Sequence, residues 1–252
     1  LGAISPGFQA DFVVLDNLQD LNVTDVFYKG KLVDRNAPIR VKTCGRALKH
    51  TVHLDKVKAE QFVLPIGKKK THVIGINPSQ ITTEDLAVSL QPVANYVPTD
   101  GYSKVAAVER HHNTGKIGVA VAKGYGIRNG AVASSVSHDS HNIIVIGDND
   151  RDMALAVDEI IRTQGGYTVV ENGEVFETLP LPIMGLMSDA GFESVNETLG
   201  RMIKKAHEMG VPADIEPFIT LSFLALPVIP TLRITPRGLC LLTAKGPEIL
   251  QE

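Results

Sequence analysis

The stretch that decides the fold of this chain is VERHHNTGKIGVAVAKGYGIRNGAVASSVSHDSHNIIVIG, residues Val108–Gly147. It contains three short apolar runs rich in β-branched residues, at Lys116–Ala122, Ala131–Val136 and Ile143–Ile146, and each run predicts a strand. The connection from Ser137 to Asn142 consists of serine, histidine, aspartate and asparagine. The pattern therefore predicts a sheet whose buried strands hold a polar loop.

The sequence on both sides of this stretch predicts more strands. His72–Ile76 and Val105–Glu109 are short β-forming runs. Tyr167–Val170 and Glu174–Leu179 flank Asn172-Gly173, a residue pair that is typical of tight hairpin turns. We therefore expect the sheet to extend well beyond the three central strands.

Two segments have the apolar spacing of helices that bury one face. The first, Asp150–Thr163, follows a candidate N-cap residue, Asn149, and the second runs from about Ser194 to Met209. The apolar tail Pro217–Pro230 is broken by Pro227 and Pro230, which argue against one long helix. Because these helices follow or separate groups of strands, we predict an α+β fold.

The N-terminal part predicts a separate small sheet. The opening LGAISPGFQADFVVLD, Leu1–Asp16, reads as a turn and a strand, and Val23–Lys29 and Lys31–Asp34 predict two more strands. A sheet of this size cannot bury its inner face alone. We expect it to complete a domain that begins earlier in a longer protein, with one domain at residues 1–65 and a second at residues 66–252.

Composition excludes several classes of function. The 252 residues are 44% hydrophobic and carry a net charge of −3, which gives no basic surface for nucleic acid. No apolar run is long enough to span a bilayer, and two cysteines, Cys44 and Cys240, are too few for a disulfide scaffold. We therefore predict a cytoplasmic protein without nucleic-acid or membrane partners.

The polar loop supplies the main candidate site residues. His138, Asp139, His141 and Asn142 lie on a connection between two apolar strands, where binding groups commonly project. Imidazole titrates near neutral pH and a carboxylate can orient it, so the loop could face a substrate or handle protons. The alternative is a turn whose side chains bond only to nearby backbone groups. The residues alone leave both interpretations open.

A second cluster, Glu109-Arg110-His111-His112, follows a predicted strand. Arg110 and His111 are candidates for an anion clamp or a substrate contact. The alternative, a Glu109–Arg110 ion pair with two half-exposed histidines, is favoured by the residues alone, because such surface pairs are common. Gly124–Gly130 departs from the G-x-G-x-x-G pattern and predicts a connection between strands rather than a phosphate cradle.

A metal site within the chain is not predicted. His138 and His141 have a spacing that belongs on a helix, but they lie in a predicted loop. The H-E-x-x-H motif is absent, and the two cysteines cannot supply the C-x-x-C of zinc deaminases.

Several of these strings resemble one family closely. Val108–Gly147, LPLPIMGLMSD at Leu179–Asp189 and PFITLSFLALPVIP at Pro217–Pro230 resemble the C-terminal region of bacterial-type adenine deaminase, in the amidohydrolase superfamily. Leu1–Asp16 resembles the strand with which amidohydrolases close their β-sandwich domain. The resemblance implies hydrolysis of adenine to hypoxanthine and ammonia at a manganese or iron centre, by a homo-oligomeric enzyme.

The chain departs from that family in one decisive way. Amidohydrolases bind their metals on a barrel, beginning with an H-x-H pair, and this chain has no H-x-H and no room for a barrel of about 250 residues. The resemblance thus implies the portion after the barrel: the end of the β-sandwich, then a mixed α/β C-terminal domain, inactive alone.

We expect this portion to close or support the barrel of its own or a neighbouring chain, with the polar loop at the adenine site. The alternatives are a non-catalytic structural or oligomerisation module and an independent purine-binding domain.

Overall fold

A computed structural model describes residues 1–37, 44–67, 70–99 and 101–250, and the chain divides into two compact units, residues 1–43 and residues 44–252. The first unit contains a three-stranded antiparallel sheet of β1 (Phe12–Leu15), β2 (Val23–Tyr28) and β3 (Lys31–Leu32), in that order. The rings of Phe12 and Phe27 stack across β1 and β2, with centroids 4.7 Å apart. The predicted small sheet is therefore confirmed.

The second unit begins near Cys44, about twenty residues before the domain boundary that the sequence predicts. The reason is that Val52, Val57 and Phe62 are buried in the core of the second unit. Lys68 and Lys69, which lie close to the boundary that the sequence predicts, are outside the described residues.

An eight-stranded mixed sheet forms the centre of the second unit. Its order is β11-β10-β8-β9-β6-β7-β4-β5, and only the β4–β7 pair is parallel among the described strands. The strands are β4 (Thr71–Ile76), β5 (Thr83–Val88), β6 (Tyr102–Val108), β7 (Ile117–Lys123), β8 (Gly130–Ser134), β9 (Ile143–Gly147), β10 (Gly166–Glu171) and β11 (Glu174–Pro180).

Both faces of the central strands are buried, which explains their continuous apolar sequences. Helix α1 (Asp150–Thr163) covers one face, together with the segment that contains Phe62. The other face packs against α2 (Phe192–Glu208), α3 (Pro217–Leu224) and a three-stranded antiparallel sheet of β12 (Leu232–Thr235), β13 (Gly238–Thr243) and β14 (Gly246–Ile249). Alternate residues of β9 point to opposite layers: Ile143 and Val145 toward α1, Ile144 and Ile146 toward the other layer.

The structure confirms the α+β prediction and most of its elements. Helix α1 has the predicted bounds, and the Asn149 side chain accepts a hydrogen bond from the Asp152 amide, as expected of an N-cap. The hairpin turn at Asn172-Gly173 has positive φ at both residues, 52° and 82°. In contrast, sequence inspection missed β5 and the sheet of β12–β14, because polar or charged residues interrupt the apolar sequences of β5, β12 and β14.

One glycine shows how closely the layers approach. A Cβ at Gly118 of β7 would lie 2.0 Å from the carbonyl oxygen of Thr235 in β12. Only glycine allows this contact between the sheet of β12–β14 and the eight-stranded sheet. Within the described residues, no helix is both long and apolar enough to cross a membrane.

Candidate functional site

The polar loop, residues 137–142, connects β8 to β9 in the middle of the large sheet. Its geometry combines both interpretations offered by the sequence. The His141 amide donates to the Ser137 carbonyl over 2.6 Å, and Asn142 Nδ2 donates to Ser140 Oγ over 3.1 Å. These bonds belong to a self-satisfying turn. They account, however, for only part of the polar groups in the loop.

Three polar atoms at the loop and the adjacent helix α3 are buried without a hydrogen-bond partner among the described residues. They are Ser137 Oγ, His141 Nδ1 and Ser222 Oγ. The loop and α3 are joined here, since the His138 amide donates to the Ser222 carbonyl over 3.1 Å. Buried polar groups without partners are rare in native proteins and call for an explanation, such as a bound molecule or a catalytic role.

His138 and Asp139 form the exposed part of the loop. The His138 side chain is 41% exposed, the Asp139 side chain is 83% exposed, and Nδ1 of the imidazole lies 3.4 Å from Oδ1 of the carboxylate. The His138 ring also stacks on Phe223 of α3, with centroids 5.0 Å apart, and lies 6.1 Å from the His141 ring. An imidazole held by an aromatic ring and beside a carboxylate can exchange protons with a molecule that approaches from outside.

Arg110 is buried behind the loop instead of facing solvent. Its guanidinium donates to three backbone carbonyls: Thr51 and Met184, each over 3.0 Å, and His141. It also packs against Gly185, where a Cβ would come within 2.9 Å of the guanidinium carbon. This geometry makes Arg110 a positioning residue, because it ties His141 to two segments that are distant in sequence.

The neighbours of Arg110 complete the support of the loop. The Asn142 side chain is buried, and its Oδ1 accepts from the Arg110 amide over 3.3 Å. His111 Nε2 lies 2.7 Å from the Ser140 carbonyl and must donate to it, since a carbonyl oxygen only accepts. The Glu109 carboxylate accepts from the amides of His111, His112 and Thr114. The sequence-based alternative of a Glu109–Arg110 ion pair is therefore wrong: Glu109 organises the following turn.

Burial lowers the pKa of His141 below its ordinary value. The charges of Arg110, His138 and His111 act in the same direction, and Asp139 opposes them. His141 therefore stays neutral over a wider pH range than a free histidine, and its unpartnered Nδ1 can accept or donate one hydrogen bond depending on its tautomer.

We expect the His141→Asn variant to lose less stability in mild acid than the wild type. Asparagine tolerates the positive φ of 49° at this position, so the substitution keeps the backbone. With a folded-state pKa below the ordinary value, the wild type loses stability as the pH falls from about 6.5 toward the folded pKa, because only the unfolded chain gains the proton. Urea unfolding at pH 7.5 and 5.5 measures the difference; equal losses in both proteins would contradict this account.

The residues present do not suit a metal ion. Among residues 1–37, 44–67, 70–99 and 101–250, no three histidine, cysteine, aspartate or glutamate side chains come together as a ligand set. His138, Asp139 and His141 therefore lie close together without forming a ligand set for a metal ion.

Comparison with known proteins agrees with the resemblance in the sequence. The family described as "Adenine deaminase C-terminal domain" matches residues 80–245, which include the polar loop and its supports from β8, β9 and α3. This chain belongs to that family. An adenine deaminase of Desulfitobacterium hafniense (strain Y51) is 50% identical over 241 residues, which cover 95% of this chain and 42% of the relative.

Other relatives of the family show the same coverage. An adenine deaminase of Nitratidesulfovibrio vulgaris (strain DP4) is 46% identical over 94% of this chain and 42% of its own length. An "Adenine deaminase 2" of Carboxydothermus hydrogenoformans is 41% identical over 95% and 43%. The chain thus spans about two-fifths of the curated relatives it matches.

Sequence inspection missed two contributors to the site in this adenine deaminase C-terminal domain. Ser222 and Phe223 lie on α3, far from the loop in sequence, and nothing in their spacing connects them to it. Ser135 belongs to the polar run of the sequence, but its partner could not be predicted: its hydroxyl donates to the Gly185 carbonyl over 2.6 Å and so joins the base of the loop to that segment. These contacts depend on tertiary packing.

Proposed function

We propose that this chain is the C-terminal part of an enzyme that hydrolyses adenine to hypoxanthine and ammonia. The proposal is supported by membership of the family and by the names of the relatives, which are adenine deaminases over a longer length. The metal, manganese or iron, would be held by an upstream barrel. The small sheet of residues 12–32 would be the end of the β-sandwich beside that barrel.

We further propose that the polar loop faces the adenine site of the same or a neighbouring chain. The observation that carries this proposal is the cluster of unpartnered buried atoms beside an exposed imidazole: Ser137 Oγ, His141 Nδ1 and Ser222 Oγ next to His138. Arg110 holds the loop from behind, so the exposed His138 imidazole can be presented without reorganisation of the loop backbone. Closure over the barrel would exclude bulk water and add hydrogen bonds to the base.

The competing proposal is a module that only supports assembly. It is favoured by the exposed apolar side chains on and after α3, where Ile219 is 57% exposed and Val228 is 63% exposed. Under either proposal the enzyme would be a homo-oligomer. The state of Cys44 and Cys240, both free thiols, supports our proposal of a reducing, cytoplasmic compartment.

Two variants of the complete polypeptide separate these proposals. If the loop serves the reaction, His138→Ala lowers the rate of ammonia release and leaves the oligomer intact, since the substitution truncates one side chain that is 41% exposed. If α3 serves assembly, Ile219→Asp changes the molecular mass measured by light scattering. Loss of assembly in Ile219→Asp with an unchanged rate in His138→Ala would favour the module and remove the loop from the mechanism.

A further inference from the structure

A cavity lined in part by Phe223 lies outside the polar loop. Its volume is about 400 Å³, within the range of about 300–1,000 Å³ typical of small-molecule sites. Ile81, Ile215, Ile219 and Phe223 provide apolar walls. The cavity is thus formed by the residues that connect β4 to β5, by the end of α2 and the segment after it, and by α3.

The polar groups of this cavity are mainly hydrogen-bond acceptors. His207 Nδ1 lies 3.0 Å from the Val211 carbonyl and must donate to it, so Nε2 of the neutral ring is left as an acceptor. Glu216 uses one carboxylate oxygen to cap α3 at the Ile219 amide, which leaves the other oxygen as a second acceptor. Asp214 adds another carboxylate to the lining.

The cavity has fewer hydrogen-bond donors than acceptors, and the side chains that provide them, Gln80 and Thr220, are uncharged. Gln80 accepts from the Thr82 hydroxyl through Oε1 over 3.0 Å, which leaves its NH₂ group as a donor. The Thr220 hydroxyl can provide another. Lysine and arginine are absent from the lining, all of which lies within the described residues. Two carboxylates in a lining without lysine or arginine disfavour a phosphate or another anion.

We propose that this cavity binds a planar nitrogen heterocycle that carries N–H donors and no phosphate, a free nucleobase rather than a nucleotide. The flat ring fits between the isoleucines and Phe223, and the ring N–H and amino groups pair with His207 and Glu216. This proposal stands whether or not the polar loop serves the reaction.

The test uses 2-aminopurine, which is fluorescent and has no amino group at C6 to be hydrolysed. The complete polypeptide is labelled with ¹³C at isoleucine δ1 methyl groups, so that Ile81, Ile215 and Ile219 report from the cavity itself. We expect these methyl signals to shift on titration, and we expect the 5′-monophosphate of 2-aminopurine riboside to cause no shift at the same concentrations.

Two variants control the experiment. Ile219→Trp fills the cavity and should weaken binding by about tenfold or more, because the ring can no longer enter. Val228→Trp adds the same side chain at a site that is 63% exposed and outside the lining, and it should bind as the wild type does. Assignment of the Ile81 and Ile215 methyl signals in both variants confirms that they remain folded.

Several results would overturn the proposal: unshifted cavity methyls in the wild type, equal binding by Ile219→Trp, or equal shifts with the monophosphate. Because the methyl signals report on the cavity and ammonia release reports on the reaction, failure of this proposal is distinguishable from failure of the proposed function.

Discussion

Arg110→Met is expected to lower the free energy of unfolding by about 3 kcal/mol or more. The substitution removes the donor of three part-buried hydrogen bonds, to the carbonyls of Thr51, His141 and Met184, and a hydrogen bond to a charged group contributes about 1.5–3 kcal/mol. Burial lowers the pKa of Arg110 to about 10, so the wild-type guanidinium is charged at neutral pH and its hydrogen bonds are charge-assisted. Methionine replaces the volume but none of these bonds.

Equilibrium unfolding in urea measures this loss. Arg237→Met is the matched control, since Arg237 is exposed at the turn between β12 and β13 and its loss should change stability by no more than about 0.5 kcal/mol. Arg110→Lys should also be destabilised, because one ammonium group cannot reach carbonyls on three separate segments. A free energy equal to that of Arg237→Met would show that Arg110 does not support the loop.

His138→Ala is expected to lower kcat/KM for adenine by about 100-fold in the complete enzyme. Positioned proton-transfer groups contribute factors of about 10²–10⁴ to enzymatic rates, and His138 is the exposed imidazole of the loop, held by Phe223 and beside Asp139. The substitution removes no buried hydrogen bond of the His138 side chain, so stability should change little. The loss should appear in kcat if the group handles protons, and mainly in KM if it only binds the base.

The fold was largely predictable where the sequence carries strong local signals. Helix α1 has an N-cap at Asn149 and apolar residues at helical spacing, and both signals are independent of the rest of the chain. The strands β8 and β9 are continuous apolar runs because both of their faces are buried. The sheet of β12–β14 could not be predicted in this way, since Arg233 interrupts the apolar run of β12 and β14 contains Pro247 and Glu248.

The candidate site was predictable in its residue types and not in its geometry. His138, Asp139, His141 and Asn142 stand out as a polar run between apolar strands, and this signal is local. The burial of the Arg110 side chain could not be predicted from a local signal. Its partners lie at Thr51 and Met184, and only the folded chain brings them together. No sequence spacing indicates such a contact.

The limits of the resemblance are also physical. The motifs identify the family, but a chain that covers about two-fifths of its relatives contains no metal ligand set within its described residues. Under the proposed function, the metal ligands would therefore lie in the rest of the protein.

The most direct test of the central claim is kcat/KM for adenine in His138→Ala relative to His112→Ala, both in the complete enzyme with equal metal content. His112 is an exposed histidine nearby that lies outside the polar loop, so it controls for the loss of an imidazole. Our account predicts a wild-type value for His112→Ala and a value about 100-fold lower for His138→Ala. Equal values for the two variants would contradict a role of the loop in the reaction.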